Sequence, residues 1–258
     1  MKKRDLKTQL SYTCKGRGKK TLLLIHGLLE SAAMWHIVLP FFDEEEYCLY
    51  TIDLPGHGDS PVCENGNDLS VLAELIHAFL KEQKRSQVSI IGHSLGGYLA
   101  LAFAEKYPDD VVKMVLLNSS SLADSETRKK DRNRVIRLLY KHPQAFKSMA
   151  VKNLFLPETF EIYKSEINRA AQVAQKCETA ALIMTLEAMR DRKDRSTVLC
   201  HFRSQSLLIF GDQDQIANPQ AMESVIDRCQ LSTEILSGGH MSLIEHHEKV
   251  MCLLKDFL

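Results

Sequence analysis

Short apolar runs recur along the chain and alternate with longer stretches whose apolar residues fall at every third or fourth position. The runs TLLLIH (21–26), YCLYTI (47–52), VSII (88–91), VVKMVLL (111–117), SLLIF (206–210) and TEIL (233–236) predict strands. Most are apolar on both faces, the pattern of a parallel sheet covered on both sides. Helical periodicity is expected at about 31–42, 68–85, 94–107, 219–229 and 241–257, with Ser31 and Asp68 placed as N-caps. This alternation predicts right-handed β-α-β units, hence an α/β fold with a mostly parallel twisted sheet and helices on both faces. Residues 8–14 are expected to add an antiparallel edge strand, with KGRGK as the turn.

The rhythm breaks from 122 to 202, where RNRVIRLLYKH, PETFEIYKSEINRAAQVAQK and ETAALIMTLEAMR carry helical periodicity and no run reads as a strand. The segment is several times longer than an ordinary crossover. It therefore predicts an inserted helical cap, with residues 1–121 and 203–258 as the core.

Composition narrows the partners. The 258 residues carry 33 Lys plus Arg against 33 Asp plus Glu, a balance that gives no pull toward nucleic acid or anionic membranes. The basic start, Lys2 to Arg4, continues with Asp5, Lys7 and Gln9 where an export signal needs an apolar run. No apolar run is long enough to span a bilayer. Seven cysteines, at 14, 48, 63, 177, 200, 229 and 252, are odd in number and share no close spacing. They predict reduced thiols and a cytoplasmic protein, not a disulfide frame or a zinc site.

Candidate chemistry begins at Gly92-His93-Ser94-Leu95-Gly96, between a strand and a helix. A strand that reverses into a helix within one residue strains the serine backbone. Glycines on either side let strand and helix approach without Cβ clashes. A serine hydroxyl needs a base to become nucleophilic, and the base needs an anion to fix its tautomer. Gly211-Asp212-Gln213-Asp214-Gln215 follows one predicted strand and Ser237-Gly238-Gly239-His240 another, each at the carboxyl end where such sheets hold their sites. The N–H of Leu95, opening the helix behind Ser94, is an oxyanion donor aided by the helix dipole. His93 points away from Ser94 and reads as a packed, hydrogen-bonded neighbour, while His77, His142, His246 and His247 read as helix residues.

With these segments the chain resembles the α/β-hydrolase superfamily over nearly its whole length. The pieces are LLLIHGLLES (22–31), DLPGHGDS (53–60), IGHSLGG (91–97), LLIFGDQD (207–214) and GGHMSLIEH (238–246). The resemblance implies the order Ser94, Asp214, His240. Its G-x-x-D pattern selects Asp214 and leaves Asp212 as a loop residue. It also implies a cap inserted after the sixth core strand, a second oxyanion donor at the Leu28 N–H, and His26 as a brace. Some members carry the acid after strand six, where this chain has Asn118 and three serines. A serine nucleophile argues against the dehalogenases and epoxide hydrolases, whose chemistry needs a carboxylate.

The implied activity is acyl transfer to water on a small-molecule ester or thioester, with no metal or organic cofactor. Carboxylesterases acting on acyl-carrier thioester methyl esters are the leading comparison. Related members cleave C–C bonds in diketone-like acids, make peracids, or eliminate pyruvate in menaquinone synthesis. The last group has arginine where this chain has Tyr98. A non-catalytic receptor on the same fold is the alternative of another class. Trp35, Met149, Phe155, Met184 and Met189 are candidate walls of the pocket under the cap.

Overall fold

The computed structural model describes residues 9–258. The basic start and Thr8 of the expected edge strand lie outside the described residues. Seven strands, β1 (Tyr12–Lys15), β2 (Lys20–Ile25), β3 (Tyr47–Ile52), β4 (Val88–His93), β5 (Val111–Leu117), β6 (Ser206–Gly211) and β7 (Ser232–Leu236), form one sheet in the order β1-β3-β2-β4-β5-β6-β7. Among the described residues only β1 runs antiparallel, pairing Tyr12 with Ile52, and every other neighbour is parallel.

Successive side chains in a strand face opposite sides, so an unbroken apolar run serves two cores. Leu23 and Ile25 pack on one face, with Leu99 and Phe103 of α2 (Leu95–Lys106), Ile76 and Phe79 of α1 (Leu69–Glu82) and Val225. Leu22 and Leu24 face the other side, against Trp35, Val38, Val250 and Leu254. Asp68 caps α1 by accepting the Ser70 N–H at 2.7 Å, which meets one donor that the helix leaves unpaired.

Between β5 and β6 lie α3 (Glu126–Lys141), α4 (Pro143–Lys152), α5 (Lys164–Lys176), α6 (Thr179–Arg190) and α7 (Ser196–His201). Pro143 opens α4 at a position where a missing N–H costs nothing. Ile136, Leu139, Phe146, Phe155, Leu182 and Leu186 build a third core that also takes in Leu29 and Met241, from the loops after β2 and β7. This core therefore sits over the carboxyl edge of the sheet. The segment is not uniform: Ala188, Met189, Leu199 and Phe202 join the core of the sheet itself.

The last three helices are α8 (Pro219–Cys229), α9 (Ser242–Glu245) and α10 (His247–Phe257). Two expected helices are subdivided. Residues 31–42 form 3-10 turns over Ala32–Ile37 and Leu39–Phe41, and 241–257 breaks at His246, whose φ of −133° is not helical. One expectation about thiols is corrected. Cys200 and Cys229, at the ends of α7 and α8, are bonded across a Cα separation of 5.1 Å, while Cys14, Cys48, Cys63, Cys177 and Cys252 are free. Two cysteines far apart in sequence leave no spacing signal when only the packing of two helix ends brings them together. Among the described residues, no helix is long and apolar enough to cross a membrane.

Candidate active site

Ser94 sits between β4 and α2 at φ 51° and ψ −113°, a strained geometry for a residue with a side chain. The surrounding glycines make that turn possible. A Cβ on Gly92 would lie 2.3 Å from the Gly96 carbonyl oxygen, one on Gly96 2.1 Å from the Ile25 oxygen, and one on Gly97 2.3 Å from Ser119 Oγ. Strand, helix and the end of β2 therefore close to backbone contact around the serine. The Ser94 N–H donates to Leu117 O at 3.0 Å and Ser119 Oγ donates to Ser94 O at 2.7 Å, so the end of β5 and the loop after it fix both sides of the turn.

Asp214 and His240 follow β6 and β7. His240 Nδ1 donates to Asp214 Oδ2 at 2.7 Å, with both side chains buried. The other carboxylate oxygen, Oδ1, accepts the N–H groups of Ile216 at 2.8 Å and Ala217 at 2.9 Å. A fourth bond comes from Asn118, whose Nδ2 donates to Asp214 Oδ2 at 3.0 Å and to Gly239 O at 3.2 Å. Burial by itself raises the Asp214 pKa. The His240 ring and the N–H donors outweigh it and hold the carboxyl down to about 2. It is thus an anion across the physiological range, aimed at the imidazole. Asp212 does other work, accepting the Gly238 N–H at 2.8 Å.

Asn118 is absent from the sequence-based candidates. Its one local signal is its place after β5, where it takes φ 47°, a left-handed conformation that asparagine tolerates. The loop of His240 is further held by its own N–H to Leu154 O at 3.1 Å, just past α4, and by Gly239 N–H to Glu245 Oε2 at 2.8 Å.

Ser94, His240 and Leu28 meet as walls of one chamber of ≈ 300 Å³ under the helical segment. Among the described residues no hydrogen bond joins Ser94 Oγ to His240. Such bonds are often long in a free site and tighten only with substrate. The chamber is also lined by Val135, Phe146, Ala150, Leu154 and Met189, and by the polar side chains of Glu30, Arg128, Asp131, Arg132 and Asn153. Of the five residues proposed as walls, Met189 is in this lining. The other four lie elsewhere: Trp35 in the core on the far face of the sheet, Phe155 in the core of the helical segment, Met184 beside a small void near Leu54, and Met149 half exposed on α4.

The two oxyanion candidates come from different elements. Leu95 is the first residue of α2, where the N–H has no partner within the helix. Leu28 follows Gly27, whose N–H donates to Glu30 Oε2 at 2.5 Å. His26 spans two loops: its Nδ1 donates to Gly27 O at 2.7 Å and its Nε2 accepts the Leu54 N–H at 2.9 Å. Burial keeps this imidazole neutral by lowering its pKa. The loop 53–60 is a scaffold, in which Asp53 accepts the N–H groups of Ala32 at 2.7 Å and Asp59 at 3.0 Å.

Several known proteins share this arrangement of chain. A 2-hydroxy-6-oxononadienedioate/2-hydroxy-6-oxononatrienedioate hydrolase of Paraburkholderia phymatum is 25% identical over 273 aligned positions, covering 97% of this chain and 91% of that protein. An esterase of Thermogutta terrifontis superposes with a TM-score of 0.86 at 24% identity, covering 96% of this chain and 92% of its own. An enol-lactonase of Burkholderia xenovorans gives 0.87 at 18% identity, covering 96% and 95%. At such identities the two structures speak for the fold alone. The sequence profile of the alpha/beta hydrolase fold family matches residues 20–153, a little over half of the chain, and on that match together with the seven-stranded sheet the protein belongs to the alpha/beta hydrolase fold family.

Proposed function

We propose that the protein is a serine hydrolase that cleaves a small-molecule carboxylic ester or thioester through an acyl-enzyme on Ser94. The observation that carries this reading is the buried His240–Asp214 contact of 2.7 Å, opening onto the same chamber as a serine held at φ 51°. His240 Nε2 takes the Ser94 proton as Oγ attacks the substrate carbonyl. The oxyanion rests on the N–H groups of Leu28 and Leu95. Collapse breaks the C–O bond of an ester (or the C–S bond of a thioester), and the leaving alcohol (or thiol) takes the proton from His240. Water, deprotonated by the same ring, then attacks the acyl carbon and releases the acid, with Ser94 reprotonated. Leu28 has an apolar side chain, which favours the backbone version of the oxyanion site. The helices between β5 and β6 act as the cap, and Phe146, Ala150, Leu154 and Met189 as the acyl wall.

The test is labelling by a fluorophosphonate together with turnover of p-nitrophenyl esters, both lost in Ser94→Ala. Tight binding of esters with no turnover and no label would instead support a receptor.

A second reading, hydrolysis of a C–C bond in a diketone-like acid, is favoured by the curated relatives and by Arg128 and Arg132, one turn apart on α3 and both facing the chamber. Arg132 is paired with Asp124 at 2.9 Å, but Arg128 donates only to the Ile216 and Gln215 carbonyls, so its charge has no carboxylate partner among the described residues. Comparing a carboxylate-bearing aryl ester with its neutral analogue separates the cases. A preference for the anionic ester that disappears in Arg128→Gln supports this reading, and indifference to the carboxylate argues against it.

A further inference from the structure

Glu30 and His93 are almost fully enclosed and have no part in the proton transfers described above. His93 Nδ1 lies 2.9 Å from Glu30 Oε2, and His93 Nε2 lies 3.0 Å from the His240 carbonyl oxygen. The same Oε2 accepts the Gly27 N–H at 2.5 Å. A carbonyl oxygen can only accept, so Nε2 must carry a proton. A carboxylate that already draws in an N–H also asks Nδ1 to donate. With Glu30 ionised, both ring nitrogens are protonated, and the buried pair is an imidazolium against a carboxylate.

Its three hydrogen bonds join the loop after β2, the end of β4 and the loop after β7. Gly27 directly precedes the Leu28 donor, His93 directly precedes Ser94, and the His240 carbonyl belongs to the residue that would serve as base. We propose that Glu30 and His93 are a positioning pair, locking the oxyanion loop, the nucleophile turn and the histidine loop into one register; this rests on the serine-hydrolase reading. A single ion pair then does what three independent loop conformations could not, because displacing any one of them leaves a buried donor or acceptor unmatched.

The electrostatics agree. Burial lowers the His93 pKa, but the Glu30 carboxylate and the His240 carbonyl more than reverse this and raise it. Burial pushes Glu30 up, and the His93 charge brings it below the ordinary carboxylate range. Other titratable groups facing the pair are His26, which bears on both members, His57 and Cys177, which bear on Glu30, and Asp214, which bears on His93; the His240 ring lies 5.0 Å from that of His93.

Glu30→Gln and His93→Asn test the pair through steady-state ester hydrolysis. Each is expected to lower kcat by on the order of 10–100-fold while KM stays within about twofold, the result of misplaced but intact groups. The double variant is expected to be little worse than either single one, since the first substitution already breaks the unit. Single variants within about twofold of the parent in kcat, or losses that multiply in the double variant, would overturn the proposal. A second measurement needs no substitution. In a long-range ¹⁵N–¹H spectrum of the unaltered protein at pH 8, the His93 ring is expected to show two protonated nitrogens, and a ring with one bare nitrogen would refute the pair. If the parent shows neither labelling nor turnover, the hydrolase reading fails, and the spectrum still decides whether the charged pair exists.

Discussion

Replacing Asp214 by asparagine probes the anion on which the histidine depends. The carboxyl is held down to about 2 against an ordinary 3.8, a gap on the order of 2 kcal/mol of stability. A depressed pKa contributes stability that is fully present above the unfolded value of 3.8 and is lost as pH falls through about 2. At pH 3 about half of the contribution should remain. Asp214→Asn removes all of it, and the new amide also sets an NH₂ group against that of Asn118, a mismatch that does not vary with pH. Urea unfolding of parent and variant should therefore differ most from pH 5 to 7, with the gap closing by about 1 kcal/mol at pH 3. Catalysis should fall further than stability. An asparagine cannot fix the Nδ1–H tautomer or balance the imidazolium, so kcat for an aryl ester should drop by on the order of 10³–10⁴ with KM little changed. A stability gap that stays constant from pH 7 to pH 3 would refute the assignment of a strongly depressed carboxyl at this position.

Three other outcomes follow from the geometry. Ser94→Gly removes the side chain from a position at φ 51°, so it should abolish turnover while raising stability by about 1 kcal/mol, and a lower melting temperature would contradict the strain. Gly97→Ala places a methyl 2.3 Å from Ser119 Oγ and should cost about 1–3 kcal/mol, with part of the loss recovered on adding Ser119→Gly; a neutral effect in chemical denaturation would count against the tight packing of α2 on β5. The Cys200–Cys229 bond closes a separation of 29 residues, so reduction or Cys200→Ser should cost about 3–4 kcal/mol, and unchanged unfolding in reductant would show that the bond contributes nothing.

The elements that local chemistry specifies could be read directly. Strand β3 and helix α8 occupy the residues expected of them, because an apolar run bounded by polar residues and a helix opened by Asn218 and Pro219 are statements about neighbours in sequence. The glycines around Ser94 were legible for the same reason. What could not be read depends on which elements meet. Helical periodicity shows that one face of a segment is buried and is silent about what covers it. Trp35 therefore lies in the core of the sheet and Phe155 in that of the helical segment, while Phe146 and Leu154 line the chamber. Asn118 stands 96 positions from Asp214, and only the adjacency of β5 and β6 brings their side chains together.

Two histidine–carboxylate pairs lie side by side at this sheet edge, and their hydrogen bonds give them opposite roles. His93 faces an acceptor at each nitrogen, Glu30 on one side and the His240 carbonyl on the other, so its ring has no lone pair with which to take a proton. His240 donates through Nδ1 to Asp214 and borders the chamber, and Nε2 has no partner among the described residues. Under the proposed mechanism, His240 is the one of the two imidazoles near Ser94 that is placed to accept the serine proton. A fixed cation next to a working base would ordinarily oppose the protonation that catalysis needs. In the proposed mechanism Glu30, 2.9 Å from His93, would neutralise that cation, and Asp214 would supply the charge that the transient imidazolium requires. The distinction between base and brace is thus set by what stands beyond each ring nitrogen, an acceptor atom in one case and an open chamber in the other.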